Sequence, residues 1–214
     1  MKNTTIYWDN DGVLVDTETL YFQANRTVFK SVGFDLDPEQ FREFYLKQSG
    51  GAWHLALANG LPAAAVEPLR DRRNRIYAKL LGTAELAMAG AEDCLRSLAG
   101  RFLTGVVTSS RRDHFDLIHS RTGLRRFFDF VVSCDDVAHT KPNPEPYLKA
   151  IELSGRRPAE CLAIEDSERG LTAAKAAGLE CWVIPNALTR NGDFRSADRV
   201  LASLAEVAAG LGQR

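Results

Sequence analysis

The chain has 214 residues, of which 45% are hydrophobic and 26% charged, and its formal net charge is −1. This is the profile of a globular protein with a sizeable core, and the near-neutral charge gives no support for a nucleic-acid or membrane-surface partner. The four cysteines are widely spaced, and no apolar run reaches membrane-spanning length. Free thiols in a cytoplasmic protein are therefore expected.

The first predicted element is a buried strand that ends in an acidic turn. Residues Thr4 to Trp8 are apolar and β-prone, and they lead directly into Asp9-Asn10-Asp11-Gly12. At the carboxyl end of a parallel strand, these acids lie where α/β proteins keep their ligands. Two such acids repel each other unless a cation lies between them, and an oxygen-only cluster suits Mg²⁺.

A helical stretch without any strand signal follows. The predicted helices are Thr17 to Val32, Pro38 to Leu46, Trp53 to Ala58 and Ala64 to Leu81. Apolar residues recur every fourth position in the first of them, and glycine or Asn-Gly supplies the stop signals. Residues 17–87 are therefore predicted to form a helical insertion.

Beyond Gly90 the predicted helices and strands alternate. The strands are Phe102 to Thr108, Phe130 to Ser133, Cys161 to Glu165 and Cys181 to Ile184. The helices are Ala91 to Leu98, Arg111 to Ser120, Pro146 to Ser154, Gly170 to Ala177 and Leu201 to Ala209. This alternation predicts an α/β fold, a parallel sheet with helices on both faces. Residues 1–16 and 88–214 would form that core, with 17–87 as a cap above the strand ends.

Three later segments place polar groups at the same edge. Thr108-Ser109-Ser110 offers hydroxyls and backbone N–H groups to a phosphate, although such residues are at least as often plain helix caps. Prolines flank and stiffen the loop that carries Lys141, but a single loop lysine is usually a solvated charge. Glu165 and Asp166 end an apolar strand, and beside the first acidic pair they favour metal ligation over a polar turn.

Together these residues predict a phosphoryl-transfer site. Asp9 would attack phosphorus to form an aspartyl-phosphate, and Asp11 would protonate the leaving oxygen and later activate water. Thr108 and Lys141 would hold the phosphoryl group. The predicted metal ligands are Asp9, Asp11, Glu165 and Asp166, and the predicted substrate-binding residues are Asn10, Ser109 and Arg73.

The four segments, in this order and over nearly the whole chain, resemble the four motifs of the haloacid dehalogenase-like phosphohydrolases. The matching residues are Asp9 to Asp16, Thr108, Lys141 and Glu165-Asp166-Ser167. The resemblance implies a Rossmann-like core, Mg²⁺ dependence and a helical cap inserted after the first motif. It also implies that the backbone carbonyl of Asp11 ligates the metal.

The resemblance further narrows the reaction. Dehalogenases of this superfamily lack the second acid, Asp11, so a phosphatase or a phosphomutase is expected. The chain is similar to the β-phosphoglucomutase-like subgroup, which contains both. Tyr21 stands where the mutases have a histidine, and Ser49-Gly50-Gly51 where they have an arginine, so hydrolysis of a small phosphorylated metabolite, such as a sugar phosphate, is favoured. Further candidate substrate contacts in the cap are Tyr21, Trp53, His54, Arg72 and Asn74.

A function of another class is a signalling module that accepts a phosphoryl group without turnover. Receiver domains also place an aspartate, a hydroxyl and a lysine around Mg²⁺. They lack a large helical insertion after the first strand, and their acceptor aspartate follows a later strand. The sequence leaves the oligomeric state open, and a monomer is compatible with it.

Overall fold

A computed structural model of the protein describes residues 4–212 and divides the chain into two compact units. The residues Thr17–Glu85 form a helical unit, and those before and after it form an α/β unit. Met88 donates its backbone N–H to the carbonyl of Leu14 at 2.9 Å, and Asp16 donates to Leu86 at 2.8 Å. The chain therefore returns to the α/β unit at Leu86.

The helical unit contains α1 (Glu18–Lys30), α2 (Pro38–Phe41), α3 (Trp53–Ala58) and α4 (Val66–Leu81). Asp37 caps α2 through its side chain, which accepts from the backbone of Glu39 and Gln40. The helix predicted over Pro38 to Leu46 continues beyond α2 as a π-helix, Arg42–Lys47. Trp53, a candidate substrate contact, is buried, with 5% of its surface exposed.

The α/β unit is built on one parallel sheet. Its strands are β1 (Thr5–Trp8), β2 (Leu103–Val107), β3 (Phe130–Val132), β4 (Cys161–Glu165), β5 (Glu180–Val183) and β6 (Arg199–Val200), in the spatial order β3-β2-β1-β4-β5-β6. Its helices cover both faces of the sheet. They are α5 (Ala91–Leu98), α6 (Arg112–Thr122), α7 (Glu145–Ser154), α8 (Glu168–Ala176) and α9 (Leu204–Gly212). The predicted fold class is confirmed, and β6 is a strand that the sequence pattern did not indicate.

The central strand β1 determines where the polar residues emerge. All four of its residues are buried, because neighbouring strands and helices on both faces enclose it. Trp8 is in register with Val106 of β2 and Ile164 of β4. The residues that follow these strands therefore leave the sheet at one edge, and they include Asp9, Thr108 and Asp166.

Between residues 4 and 212, no helix is both long enough and apolar enough to cross a membrane. A cytoplasmic location stays a prediction.

Candidate active site

Three carboxylates converge at the carboxyl ends of β1 and β4. One oxygen from each of Asp9, Glu165 and Asp166 lies within 4.8 Å of the other two, and all three residues are buried. The backbone N–H of Asp9 donates to the carbonyl of Ile164 at 2.9 Å, which ties the end of β1 to β4. The strand register thus brings together acids that are more than a hundred positions apart in the sequence.

Lys141 joins this cluster from the loop before α7. Its Nζ donates to Asp9 Oδ1 at 2.8 Å, to Glu165 Oε1 at 2.6 Å and to the carbonyl of Val107 at 2.7 Å. The side chain is only 2% exposed, so these three acceptors replace water around the ammonium group.

The electrostatics of the cluster are those of one buried cation shared by two buried anions. Burial by itself would lower the pKa of Lys141, but Asp9 and Glu165 outweigh burial and raise it. Burial, followed by the charge of Glu165, raises the pKa of Asp9 to about 7, although Lys141 opposes the shift. One ammonium group cannot neutralise both carboxylates, so the cluster is short of positive charge.

A buried, unsatisfied oxygen points to the same deficit. Glu165 is fully buried, and its Oε1 also accepts from Tyr147 Oη at 2.5 Å. Its Oε2 is buried too, yet it has no hydrogen-bond partner among the described residues. Carboxylate oxygens in such surroundings are suited to a hard divalent cation, so the residues present fit a metal ion.

The side chain of Asp11 lies apart from the group of three carboxylates. Its Oδ2 accepts from Thr108 Oγ1 at 3.1 Å and from Ser110 Oγ at 2.8 Å. A metal-ligand role for Asp11 through its backbone carbonyl stays a prediction. Ser110 was not among the predicted site residues, and the only signal for it was its place in the Thr-Ser-Ser segment.

The hydroxyl segment after β2 is held at the sheet edge by its backbone. The N–H of Thr108 donates to the carbonyl of Val132 at 2.9 Å, and Thr108 Oγ1 accepts from the N–H of Ser110 at 3.0 Å. Ser109 Oγ is buried without a hydrogen-bond partner among the described residues. Its role in substrate binding stays a prediction.

Asp166 is oriented by a residue that the sequence did not indicate. Asn186, in the loop after β5, donates from Nδ2 to Asp166 Oδ2 at 2.8 Å. The carbonyl oxygen of the same amide accepts from the backbone N–H of Leu188 and Thr189, which fixes the amide plane. Gly12, with φ of +85°, passes directly against this pair. A lone asparagine in a loop carries no sequence signal for such a role.

The side chains of Asn10 and Arg73 form hydrogen bonds with residues of their own units. Asn10 is 0% exposed, and its amide contacts His119 and Asp11, so the side chain faces the protein interior. Arg73, in α4, donates to Tyr21 Oη at 2.6 Å and lies over the Tyr21 ring, with the guanidinium carbon 4.9 Å from the ring centroid. Their roles in substrate binding stay predictions.

The sequence of residues 4–178 matches the profile of the haloacid dehalogenase-like hydrolases. The chain belongs to this family. The predicted membership, and with it the hydrolase class, is confirmed.

The similar proteins include CbbY proteins and a fructose-1-phosphate phosphatase. CbbY of Rhodobacter capsulatus is 30% identical over 220 residues, covering 97% of this chain and 96% of that protein. The fructose-1-phosphate phosphatase YqaB of Escherichia coli is 30% identical over 180 residues, covering 82% and 93%. The crystal structure of a CbbY mutant from Rhodobacter sphaeroides in complex with xylulose-(1,5)bisphosphate has a TM-score of 0.82 at 28% identity, covering 95% and 96%.

Proposed function

We propose that this protein is a Mg²⁺-dependent phosphatase that hydrolyses a small phosphorylated metabolite, in particular a sugar phosphate, through an aspartyl-phosphate on Asp9. The observation that carries the proposal is the buried cluster at the ends of β1 and β4. In it, Lys141 holds Asp9 next to Glu165 and Asp166 in a chain of a hydrolase family.

Asp9 is the nucleophile in this proposal. Lys141 holds its Oδ1 at 2.8 Å, so the carboxylate is oriented before substrate arrives. Attack on phosphorus forms the bond from the Asp9 oxygen and breaks the bond to the leaving oxygen. Glu165 and Asp166, with Asp9, would hold Mg²⁺, which supplies positive charge for the phosphoryl oxygens in the transition state.

Asp11 is the acid and then the base. Thr108 and Ser110 donate to its Oδ2, and these bonds fix the carboxyl next to the nucleophile segment. In the first step Asp11 would give its proton to the leaving oxygen. In the second step it would take a proton from the water that attacks the aspartyl-phosphate, which regenerates Asp9 and releases phosphate. Ser109 Oγ is the hydroxyl that we assign to the phosphoryl group.

The proposed substrate class is supported by the names of similar proteins and by one residue of the helical unit. YqaB is named a fructose-1-phosphate phosphatase, and the CbbY structure holds a pentulose bisphosphate. Arg73 is the residue of the helical unit that we assign to substrate binding, because Tyr21 and Asn25 fix its guanidinium in one place. A guanidinium group held in this way suits a phosphate or a sugar hydroxyl.

The test is release of inorganic phosphate from a panel of sugar phosphates and simple phosphate esters by purified protein with MgCl₂. We expect many equivalents of phosphate per enzyme, and loss of release with excess EDTA. Asp9→Asn should abolish turnover, whereas Asp193→Asn, which removes an exposed carboxylate paired with Arg195, should not. Conversion to an isomeric sugar phosphate without phosphate release would indicate a mutase instead. Incorporation of one phosphoryl group without turnover would indicate a signalling module.

A further inference from the structure

A buried histidine contacts the acidic segment that follows β1. His119, on α6, is 3% exposed, and its Nε2 lies 2.8 Å from Asn10 Oδ1. Asn10 is fully buried and stands between the two acids Asp9 and Asp11. The contact joins residues 109 positions apart, so only the fold brings them together.

The direction of the hydrogen bonds follows from the chemistry of the groups. Asn10 Nδ2 lies 3.3 Å from Asp11 Oδ2, and only the NH₂ of an amide can donate to a carboxylate. The amide oxygen therefore faces His119 and can only accept, so Nε2 carries the proton. Nδ1 of His119 then accepts from Thr122 Oγ1 at 3.2 Å, which favours the same tautomer. Burial lowers the pKa of His119 to about 4, so the ring is neutral near pH 7.

The hydrogen bonds from His119 to Asn10 and from Asn10 to Asp11 form a relay. It ends on Asp11 Oδ2, which also accepts from two hydroxyl groups. Asp11 Oδ2 accepts from Asn10 Nδ2, from Thr108 Oγ1 and from Ser110 Oγ. Donors that approach one oxygen from several directions fix the plane of a carboxyl group. The amide of Asn10 can contribute only while its own orientation is fixed, and the bond from His119 fixes it.

We propose that His119 is a positioning residue that acts through Asn10 to hold the carboxyl of Asp11 for proton transfer to the leaving oxygen. The proposal rests on the phosphatase function and on the acid role of Asp11. The competing explanation is that His119 only fills space, since its ring packs against Phe115 at 4.2 Å and Phe128 at 5.9 Å between centroids.

Phosphate esters with different leaving groups distinguish the two explanations. Nitrophenolate leaves without a proton, whereas an alkoxide needs one, so a misplaced acid slows alkyl phosphates selectively. In His119→Phe and in Asn10→Leu we expect kcat/KM, which reports only the steps up to departure of the leaving group, to fall about tenfold or more for an alkyl phosphate and at most about threefold for 4-nitrophenyl phosphate. The double variant should be no slower than the single ones, because both remove the same relay.

A pair of conservative variants provides a rescue. The amide nitrogen of glutamine is as many bonds from Cβ as Nε2 of histidine, whereas that of asparagine is one bond closer. His119→Gln should therefore recover most of the alkyl phosphatase activity and His119→Asn should not, with the folded state of each variant verified by circular dichroism.

The outcomes are distinct. If the wild-type protein hydrolyses neither ester, the phosphatase function itself is wrong. If the wild-type protein hydrolyses both, and the folded variants lower kcat/KM for the two esters by the same factor, His119 has only a structural role and the inference is overturned. If His119→Phe does not fold, Asn10→Leu and the Gln/Asn pair decide between the same two results.

Discussion

Lys141 Nζ lies 2.8 Å from Asp9 Oδ1 and 2.6 Å from Glu165 Oε1, in a position where the side chain is 2% exposed. The ammonium group thus has two tasks, because it orients the proposed nucleophile and partly neutralises two buried carboxylates. Its removal should affect catalysis and stability together, whereas removal of a surface lysine should affect neither.

We expect Lys141→Met to lower kcat at least about a hundredfold, because a fixed positive charge next to the phosphoryl group is lost. The free energy of unfolding should fall by about 3 kcal/mol, since both carboxylates stay buried without their cation. Phosphate release and urea unfolding measure the two effects. The control is Lys149→Met, which removes a surface lysine paired with Glu152 and should cost about 0–1 kcal/mol. Equal unfolding midpoints in the two variants would contradict the role of Lys141.

Mg²⁺ should stabilise the folded protein through Asp166. A ligand that binds only the folded state at about a hundred times its Kd raises the free energy of unfolding by about 2.7 kcal/mol. We expect MgCl₂ to raise the thermal midpoint of the wild-type protein and of Asp193→Asn, but not that of Asp166→Asn. If the midpoint of Asp166→Asn rises as much as that of the wild type, the ion binds elsewhere.

Asp11→Asn should separate the two chemical steps. A nitrophenolate leaving group does not need the acid, so we expect the first equivalent of 4-nitrophenolate to appear in a burst close to the enzyme concentration. Steady turnover should then be about a hundredfold slower, because no base activates the water that attacks the aspartyl-phosphate. Stopped-flow absorbance measures both phases. Absence of both burst and turnover, as expected for Asp9→Asn, would show that attack by Asp9 needs Asp11 even when the leaving group requires no proton.

Substitution of Gly12 should destabilise the protein for two reasons, which can be tested separately. Its φ of +85° disfavours any residue with a Cβ, and a Cβ there would overlap Asp166 Oδ2 and lie 2.7 Å from Asn186 Nδ2. Gly90 has a similar φ of +77°, but nothing lies within 4 Å of the position of its Cβ. Gly90→Ala should therefore lose only about 1 kcal/mol of stability, the cost of the left-handed backbone.

Gly12→Ala should cost more stability than Gly90→Ala, and it should also weaken Mg²⁺ activation by displacing the carboxylate of Asp166. Urea unfolding and the MgCl₂ concentration for half-maximal activity measure the two effects. Equal losses of stability, with Mg²⁺ activation unchanged, would show that the contact with Asp166 has no consequence.

The elements with clear sequence patterns were predictable, and the short or irregular ones were not. The apolar runs of β1 and β4 have the length and composition of buried strands. The strand β6, Arg199–Val200, has two exposed residues, which is too short for any periodicity. The change from α2 to a π-helix at Arg42 has no local sequence signal either.

The residues of the candidate site likewise include some that were predictable from the sequence and some that were not. Asp9 and Asp166 follow predicted strands and Glu165 ends one, so the parallel sheet itself indicates that they converge. Residues such as Asn186 and His119 are single polar residues whose partners lie elsewhere in the sequence. Their contacts exist only after helices and loops pack on the sheet, so no local pattern could show them.

Burial makes His119 a source of pH-dependent stability. Its pKa is lowered to about 4 in the folded protein, whereas histidine in an unfolded chain titrates near about 6.5. As the pH falls below about 6.5, the unfolded chain binds a proton that the folded protein does not, so this residue lowers the free energy of unfolding. Between about pH 7.5 and about pH 5 the loss amounts to about 2 kcal/mol.

We expect the free energy of unfolding of His119→Gln to lack this loss at low pH. The raised pKa of Asp9 acts with the opposite sign, because a folded state that holds a proton up to about pH 7 gains stability as the pH falls. That contribution is common to the wild type and the variant, so it cancels when their unfolding free energies are subtracted at each pH. Urea unfolding should show the difference moving by about 2 kcal/mol in favour of His119→Gln between about pH 7.5 and about pH 5. A constant difference would mean that His119 accepts a proton in the folded protein as easily as in the unfolded chain.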